Sequence, residues 1–346
     1  NVLTKRGELE KSLADEMEKD FWNLLQERLD LVKQKTLPYL FQEPELAWRA
    51  LQKKVDKMDF ISSPITGISM DTIKELLGKL LLLPKPFNVL PKINRLMAAW
   101  QALYDSAKVD WSMAELLAYA SILNEGRNVR LSGQDVKRGT FSHRHAVLFD
   151  EENNEEYNRL SKINQGQGNI FIYNSLLSEF AVLGFEYGYS LATPNQLILW
   201  EAQFGDFVNG AQVIVDQFIA TAELKWNRMS GLVMLLPHGY DGQGPEHSSG
   251  RLERFLQASA EFNIIVANVS TPANYFHLLR RQLTWNFRKP LVVMSPKSLL
   301  RHPKCISSFE EMSTGSRFQE IIDDDIQDKK FISKVLVCSG QIYYEL

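Results

Sequence analysis

The stretch from residue 196 to residue 236 decides the fold class. It reads QLILW at 196–200, has helical spacing at 208–222, and then reads GLVMLL at 231–236. Two short apolar runs joined by a helix-length segment are typical of parallel strands connected by a crossover helix. We therefore predict an α/β fold with a mostly parallel sheet and helices on both faces.

The same alternation extends outward from this stretch. Further apolar runs that we predict to be strands lie at 129–131, 146–149, 169–173, 263–269 and 290–294. Helical spacing recurs at 252–262 and 273–283. Because ligands of such folds bind beyond the carboxyl ends of the strands, functional side chains are expected in the loops that follow strands.

The region before residue 112 is predicted to be helical packing surface. Apolar residues recur there at three- and four-residue steps, in stripes at 9–32, 46–58, 73–81 and 93–104. Asp71 is the predicted cap of the third stripe. Ser112 and Glu115 fit a capping box that opens a further helix, which is predicted to end near Glu125.

Composition excludes several classes of protein. The chain has 346 residues, 45% of them hydrophobic, and a formal net charge of -3, which argues against binding to nucleic acid. It has no apolar run long enough to span a membrane. Two cysteines, Cys305 and Cys338, are too few for a disulfide framework, so a reducing, cytoplasmic compartment is expected.

The two ends of the chain suggest a piece of a longer protein. The first residue is Asn1, not Met. Residues 304–333 are polar and are predicted to be a linker, after which 334–340 is predicted to be a buried strand. A domain that starts with this strand is incomplete at Leu346, and we therefore expect a fragment.

Glu179 is the first candidate for chemistry, because it lies in the otherwise apolar segment 175–189. A carboxyl in apolar surroundings either pairs with a cation or keeps its proton with a raised pKa, and it can then exchange a proton with a heterocycle. The alternative is an ordinary glutamate at a helix start, capped by Ser175 or Ser178.

Three further segments carry candidates. Phe204 and Phe207 could clamp a flat ring or simply pack in the core. The glycine-rich loop at 236–250 holds histidines that could act as acid or base, or cap the next helix. Residues 138–145 include two histidines and two arginines, for which contact with an anion or a subunit is favoured over a metal.

Together these segments resemble one enzyme family. The likeness is carried by 138–145, 177–189, 200–212, 231–249 and 290–303. They are similar to the thiamine-diphosphate-dependent first component of the 2-oxoglutarate dehydrogenase complex, which has 2-oxoadipate dehydrogenases and actinobacterial 2-oxoglutarate decarboxylases as relatives. The resemblance implies a helical linker region at 1–111, a transketolase-like pyrimidine-binding domain at 112–303, a linker at 304–333 and the start of a C-terminal domain at 334–346.

The resemblance also implies a cofactor and its place. In this family thiamine diphosphate lies between two domains, one of which holds the diphosphate through Mg²⁺ with a Gly-Asp-Gly motif. This chain lacks that motif and resembles the other domain, which receives the aminopyrimidine. The Mg²⁺ and the diphosphate are therefore expected to be held outside this chain, which alone is expected to be inactive.

Residue roles follow from the aligned motifs. The resemblance implies that Glu179 hydrogen-bonds a pyrimidine ring nitrogen and that Phe207, with Phe204 beside it, packs on this ring. Leu177 is expected to contact the ring as well. His247 aligns with an active-site histidine that faces the 2-oxo acid substrate.

The implied reaction is decarboxylation of 2-oxoglutarate and transfer of the succinyl group to a lipoyl carrier of the complex's second component, in the tricarboxylic acid cycle. A homodimer in a bacterial cytoplasm is expected. The alternatives are a different 2-oxo acid, a non-catalytic assembly module of the same fold, or an enzyme whose other half is a separate chain.

Overall fold

The computed structural model describes residues 2–34, 46–51, 54–238, 250–324, 326 and 328–346. By its internal contacts the chain divides into two units, Asn1–Glu45 and Leu46–Leu346. Each unit is described by itself. In the ranges given above, every helix is too short or too polar to cross a membrane.

The first unit consists of two helices, α1 (Val2–Lys5) and α2 (Lys11–Gln34). Helix α2 is the helix that the stripe at 9–32 predicts. Within the described part of the chain none of its side chains is buried. The stripe therefore forms the predicted helix, and its role as a packing surface stays a prediction.

The second unit alternates helices and strands. Its helices are α3 (Leu46–Arg49), α4 (Met70–Leu81), α5 (Pro91–Asp105), α6 (Trp111–Asn124), α7 (Glu179–Ser190), α8 (Gln212–Ile214), α9 (Ala222–Trp226), α10 (Leu252–Ala258), α11 (Pro272–Thr284) and α12 (Ile342–Glu345). Its strands are β1 (Lys108–Asp110), β2 (Val129–Gly133), β3 (Val147–Phe149), β4 (Glu156–Asn158), β5 (Ile170–Asn174), β6 (Leu197–Glu201), β7 (Val233–Pro237), β8 (Ile265–Ala267), β9 (Leu291–Ser295) and β10 (Ile306–Ser308). Short 3-10 helices lie at Lys57–Phe60, Gly205–Ala211, Ser298–Arg301, Glu310–Met312 and Lys329–Phe331, and one π-helical turn lies at Val215–Ile219.

Six strands form one parallel sheet, in the order β5-β2-β6-β7-β9-β8. Next to the edge strand β5, Leu131 of β2 lies opposite Ile172 of β5 and Leu199 of β6. This confirms the predicted fold class. The run at 146–149 is the exception, because β3 pairs with β4 in an antiparallel hairpin outside this sheet.

Successive side chains of the strands point to opposite faces of the sheet. Leu199 and Leu235 join the core under α6 and α11, to which α4 also contributes. Ile198 and Met234 join the core on the other face, under α7 and the helical turns at 205–219. Helix α6 is buried on all sides, which explains why its sequence is apolar throughout.

Two predicted helix caps are wrong. Helix α4 is capped by Ser69, whose Oγ accepts a hydrogen bond from Thr72 N, and not by Asp71. Helix α6 is capped by Asp110 and not by Ser112. In both places several neighbouring residues have side chains suited to a cap, and the sequence alone does not select among them. The carboxylate of Asp110 also accepts a hydrogen bond from the indole of Trp100.

The C-terminal segment also differs from its prediction. Residues 334–340 form no strand, and Val335 and Val337 are 76% and 95% exposed. An apolar run becomes a strand only beside a neighbour that pairs with it, and no described strand does so here. Within the predicted linker, β10 pairs with β1, and Phe309 and Met312 enter the core. The domain boundaries proposed above stay predictions.

Candidate functional site

A cleft lies at the carboxyl edge of the sheet, where β2, β5 and β6 end. It is shallow and open to solvent. The loop after β2 contributes Gln134, and the end of β6 and the residues after it contribute Glu201 and Gln203. The segment after β5 contributes the remaining polar groups, which are Ser175, Ser178 and Glu179. The candidate Glu179 therefore occupies the edge at which ligands of parallel sheets bind.

Glu179 is the first residue of α7 and is half-buried. Ser178 caps the helix, and its Oγ accepts a hydrogen bond from Ala181 N at 3.3 Å. Of the two serines predicted as caps, the structure has Ser178 in this position. The expectation of dry surroundings is wrong for this chain, because Leu176 and Leu177 are each 82% exposed and Phe180 is half exposed. These side chains project outward because the described residues place nothing against them.

The two carboxylate oxygens of Glu179 have different surroundings. Gln134 Nε2 donates a hydrogen bond to Oε1 at 3.0 Å. Oε2 lies beside Gly210, where an added Cβ would be 3.9 Å away. The 3-10 helix Gly205–Ala211 packs against α7 and brings this glycine close. One oxygen is therefore held by an amide, and the other faces an exposed glycine.

The predicted aromatic contacts lie elsewhere. Phe204 and Phe207 meet edge to face, with ring centroids 5.7 Å apart. Phe204 also meets Phe141 at 5.7 Å, and Lys297 Nζ lies 5.1 Å from its ring centroid. The structure does not place either phenylalanine, or Leu177, among the residues that line the cleft at Glu179. Of the predicted pyrimidine contacts, only Glu179 lines this cleft.

The predicted substrate residue, His247, lies outside the described residues. The last described residue before it is His238, at the end of β7, whose backbone N donates to the carbonyl of Ser295 at 2.9 Å. The predicted loop thus begins at the same edge of the sheet as the cleft.

Beside the cleft, Arg144 binds two buried carboxylates. Its Nε donates to Glu115 Oε2 at 2.7 Å, and its two terminal nitrogens donate to Glu201 Oε2 and Oε1 at 2.8 and 2.6 Å. Tyr119 and Tyr275 donate their hydroxyls to Glu115 Oε1. All five side chains are at least 97% buried. We call Glu115, Arg144 and Glu201 the core ion cluster.

The two carboxylates of the core ion cluster differ in their affinity for a proton. Burial raises the pKa of Glu201 above its usual value, although Arg144 acts against this shift. At Glu115 burial acts in the same direction, but Arg144 and the Tyr275 hydroxyl outweigh it, and the pKa is lowered. Arg144 is therefore occupied by internal carboxylates, and the expected contact with an external anion does not involve it.

The two histidines of the same loop are buried and neutral. Burial, helped by Arg144, lowers the pKa of His143 to about 3. Burial also lowers the pKa of His145 to about 4. Across the described ranges, no group of three or more His, Cys, Asp or Glu side chains could hold a metal ion. The loop is tightly folded, since Asp135, Ser142 and His145 all have positive φ angles.

Sequence reasoning missed Gln134 and the core ion cluster. Gln134 lies three residues after the apolar run predicted at 129–131, so a search of the loop after each predicted strand would have found it. Glu115 and Glu201 are single acids inside apolar segments, which is the same signal that identified Glu179. The partners of these acids are distant in the sequence and are visible only in the fold.

Comparison with known proteins assigns the class. Residues 107–303 match the family described as transketolase, pyrimidine binding domain, and residues 306–346 match 2-oxoglutarate dehydrogenase C-terminal. The first match covers more than half of the chain. The chain therefore belongs to the family of transketolase-type pyrimidine-binding domains, as its resemblance implied.

The similar curated proteins narrow this class. The chain is 52% identical over 311 residues to the 2-oxoglutarate dehydrogenase E1 components of Brucella anthropi and Brucella ovis, and 51% identical to that of Brucella abortus. Each alignment covers 87% of this chain and 31% of the relative. The chain thus spans about a third of the length of these proteins.

Proposed function

We propose that this chain is the pyrimidine-binding portion of an E1-type 2-oxoglutarate dehydrogenase. The complete protein would decarboxylate 2-oxoglutarate and pass the succinyl group to a lipoyl domain of the succinyltransferase component. The observation that carries the proposal is the position of Glu179, which lines a cleft at the carboxyl edge of the sheet and keeps one carboxylate oxygen beside an exposed glycine. The similarity to the E1 components supports 2-oxoglutarate as the proposed substrate.

The cofactor of this proposal is thiamine diphosphate, which supplies an acidic thiazolium carbon and an electron sink for decarboxylation. A ring nitrogen of its pyrimidine would hydrogen-bond to Glu179 through Oε2, the oxygen that lies beside Gly210. This half-buried carboxyl at a helix start fits such a nitrogen, because it can both accept and return a proton. Mg²⁺ and the diphosphate would be held by a domain outside this chain.

The other roles complete the proposed site. Leu177, Phe204 and Phe207 would contact the pyrimidine once a second domain covers the edge of the sheet. The exposed leucines beside Glu179 would then exclude water from its carboxyl. His247 would face the 2-oxo acid. The proposed location is the bacterial cytoplasm.

The complete protein is proposed to be a homodimer. Tyr173 of the edge strand β5 is 49% exposed and Phe185 of α7 is 58% exposed, and their rings lie 5.1 and 5.2 Å from the Arg130 guanidinium. Glu186 neutralises that guanidinium at 2.8 Å. With Leu177 and Phe180 these rings form an apolar surface next to the proposed site, suited to a second copy.

Light scattering of the full-length protein tests the proposed dimer and should give twice the monomer mass. Phe185→Asp should yield monomers. A monomeric parent protein would contradict the proposal.

The test of the proposed function is Glu179→Gln in the full-length protein. Gln keeps the size of the side chain and cannot exchange a proton, so decarboxylation of 2-oxoglutarate should fall by about a hundredfold or more. The matched control is Glu253→Gln, which neutralises an exposed carboxylate in the first turn of α10 and should leave the rate unchanged. Comparing kcat/KM for 2-oxoglutarate and 2-oxoadipate tests which of these two acids is the preferred substrate.

Near-normal turnover of Glu179→Gln would remove this residue from the reaction. If the full-length parent protein also failed to decarboxylate any 2-oxo acid in the presence of thiamine diphosphate and Mg²⁺, the fold would serve assembly only.

A further inference from the structure

Gln134 occupies a position that the strands fix. It follows Gly133, the last residue of β2, which lies opposite Asn174 of β5 and Glu201 of β6. Gly133 has a φ of 147°, and a Cβ there would collide with the carbonyl oxygen of Glu201. The close approach of β2 and β6 thus determines where the next residue, Gln134, begins.

The loop after Gln134 is held at several points. Arg144 of the core ion cluster donates from Nη1 to the carbonyl of Val136 at 3.1 Å. The backbone nitrogens of Arg144 and His145 both donate to the carbonyl of Arg138, at 3.0 and 2.9 Å. These contacts hold the loop through the chain's own side chains and backbone. They fix the position of the Gln134 amide at Glu179.

The chemistry of an amide makes this contact directional. The Nε2 group of glutamine only donates hydrogen bonds, so the Glu179 oxygen that faces it must accept. The hydrogen bond at 3.0 Å is to Oε1. A carbonyl oxygen is a better acceptor than a hydroxyl oxygen, so this contact disfavours a proton on Oε1 and directs it to Oε2, the oxygen beside Gly210. Glutamine does not titrate, so it takes no proton from this carboxyl.

We propose that Gln134 is a positioning residue that holds Glu179 Oε1 as an acceptor and leaves Oε2 to exchange a proton with the ring nitrogen of a bound aminopyrimidine. This inference rests on the proposed function of Glu179 and assigns the two oxygens of its carboxyl different tasks. It also explains why a neutral amide, and not a third carboxylate near Glu201, lines this part of the cleft.

The experiment measures exchange of the thiazolium proton of thiamine diphosphate with deuterium, in the full-length protein with Mg²⁺ and without a 2-oxo acid. Gln134→Leu has a similar volume but no donor, and exchange should slow about tenfold at every pH, since a hydrogen bond to a charged acceptor contributes at least this factor. The matched control is Gln257→Leu, at an exposed glutamine of α10, which should exchange as the parent does.

Gln134→Glu provides a test that a merely structural role would not reproduce. At acid pH the introduced carboxyl is protonated and can donate as the amide does, so exchange should be within about twofold of the parent protein. As the pH rises this carboxyl ionises and repels Glu179, and exchange should fall about tenfold below the parent. This variant also keeps the test valid if Gln134→Leu does not fold.

Glu179→Gln separates the two proposals in the same assay. If the thiazolium proton exchanges in this variant at the parent rate, the proposed function of Glu179 fails, and the positioning role of Gln134 fails with it. If it exchanges slowly while Gln134→Leu stays within twofold of the parent and Gln134→Glu shows the parent's pH profile, only the role of Gln134 is overturned. Slow exchange in Gln134→Leu together with the altered profile of Gln134→Glu supports both.

Discussion

Two groups of carboxylates lie at the same edge of the sheet and differ in how completely they are bonded. In the core ion cluster every carboxylate oxygen of Glu115 and Glu201 accepts a hydrogen bond from Arg144, and water has almost no access. At Glu179 one oxygen accepts from the neutral amide of Gln134, and the side chain is half-buried. A fully bonded carboxylate has no capacity for a ligand, whereas Glu179 retains it.

The comparison separates structural from functional acids in this fold. All three glutamates interrupt apolar sequence, so sequence context does not distinguish them. The glutamates are distinguished by whether an arginine guanidinium binds the carboxylate. Glu115 and Glu201 share one, and they tie α6, β6 and the loop after β2 together. Glu179 has an amide instead, and its charge remains available to chemistry.

The largest expected effect is the loss of Arg144. Arg144→Met removes the cation and leaves two buried carboxylates without compensation, so the free energy of unfolding of the chain should fall by about 3–5 kcal/mol. Urea unfolding followed by tryptophan fluorescence measures this loss. Combining Arg144→Met with Glu115→Gln and Glu201→Gln should restore much of the stability, because no unpaired charge remains.

Glu179, whose carboxylate is not bound by an arginine among the described residues, is the control for this prediction. Glu179→Gln should change the free energy of unfolding by no more than about 0.5 kcal/mol, as is usual for partly exposed positions. A loss there as large as that of Arg144→Met would mean that the two groups do the same structural work, and the comparison would fail.

A smaller effect is expected from acid, through His143 beside the core ion cluster. Its pKa is about 3 in the folded chain and near 6.5 in an unfolded one, so the unfolded chain binds the proton more readily. The stabilisation is complete above pH 6.5 and is lost as the pH falls toward 3. Between pH 6.5 and 5 this single group should remove about 2 kcal/mol from the free energy of unfolding.

His143→Gln isolates this contribution. The variant lacks the titrating ring, so its stability should fall by about 2 kcal/mol less than that of the parent chain over the same pH interval. His145 and His277, with pKa values of about 4, remain in both proteins and cancel in the difference. Equal acid sensitivity of variant and parent would show that His143 is not held neutral.

Local sequence patterns predicted those parts of the fold that depend on local structure. The runs at 196–200 and 231–236 are β6 and β7, because short apolar segments rich in Val, Ile and Leu favour buried strands of a parallel sheet. The start of α7 at Glu179 follows from the serine before it. Strand β4 was not predicted, since its sequence, Glu-Tyr-Asn, has no apolar run.

The candidate site was predictable only in part. Glu179 stands out as an acid in an apolar segment, but its partner Gln134 is 45 residues away in the sequence. Arg144 lies 29 residues from Glu115 and 57 from Glu201. Periodicity describes neighbours within a few residues, so it contains no information on such pairs. The run at 334–340 was misjudged for a related reason, because a strand requires a partner that periodicity does not reveal.

The pairing of β1 with β10 has a consequence for synthesis of the protein on the ribosome. Val109 of β1 lies opposite Ser307 of β10, so the first strand of the second unit stays unpaired until its last strand has been translated. The six-stranded sheet is likewise incomplete until Ser295 has been translated, because β9 lies between β7 and β8. Contacts so distant in sequence form slowly and leave apolar strands exposed meanwhile. The nascent chain therefore needs protection from aggregation until residue 308 has left the exit tunnel.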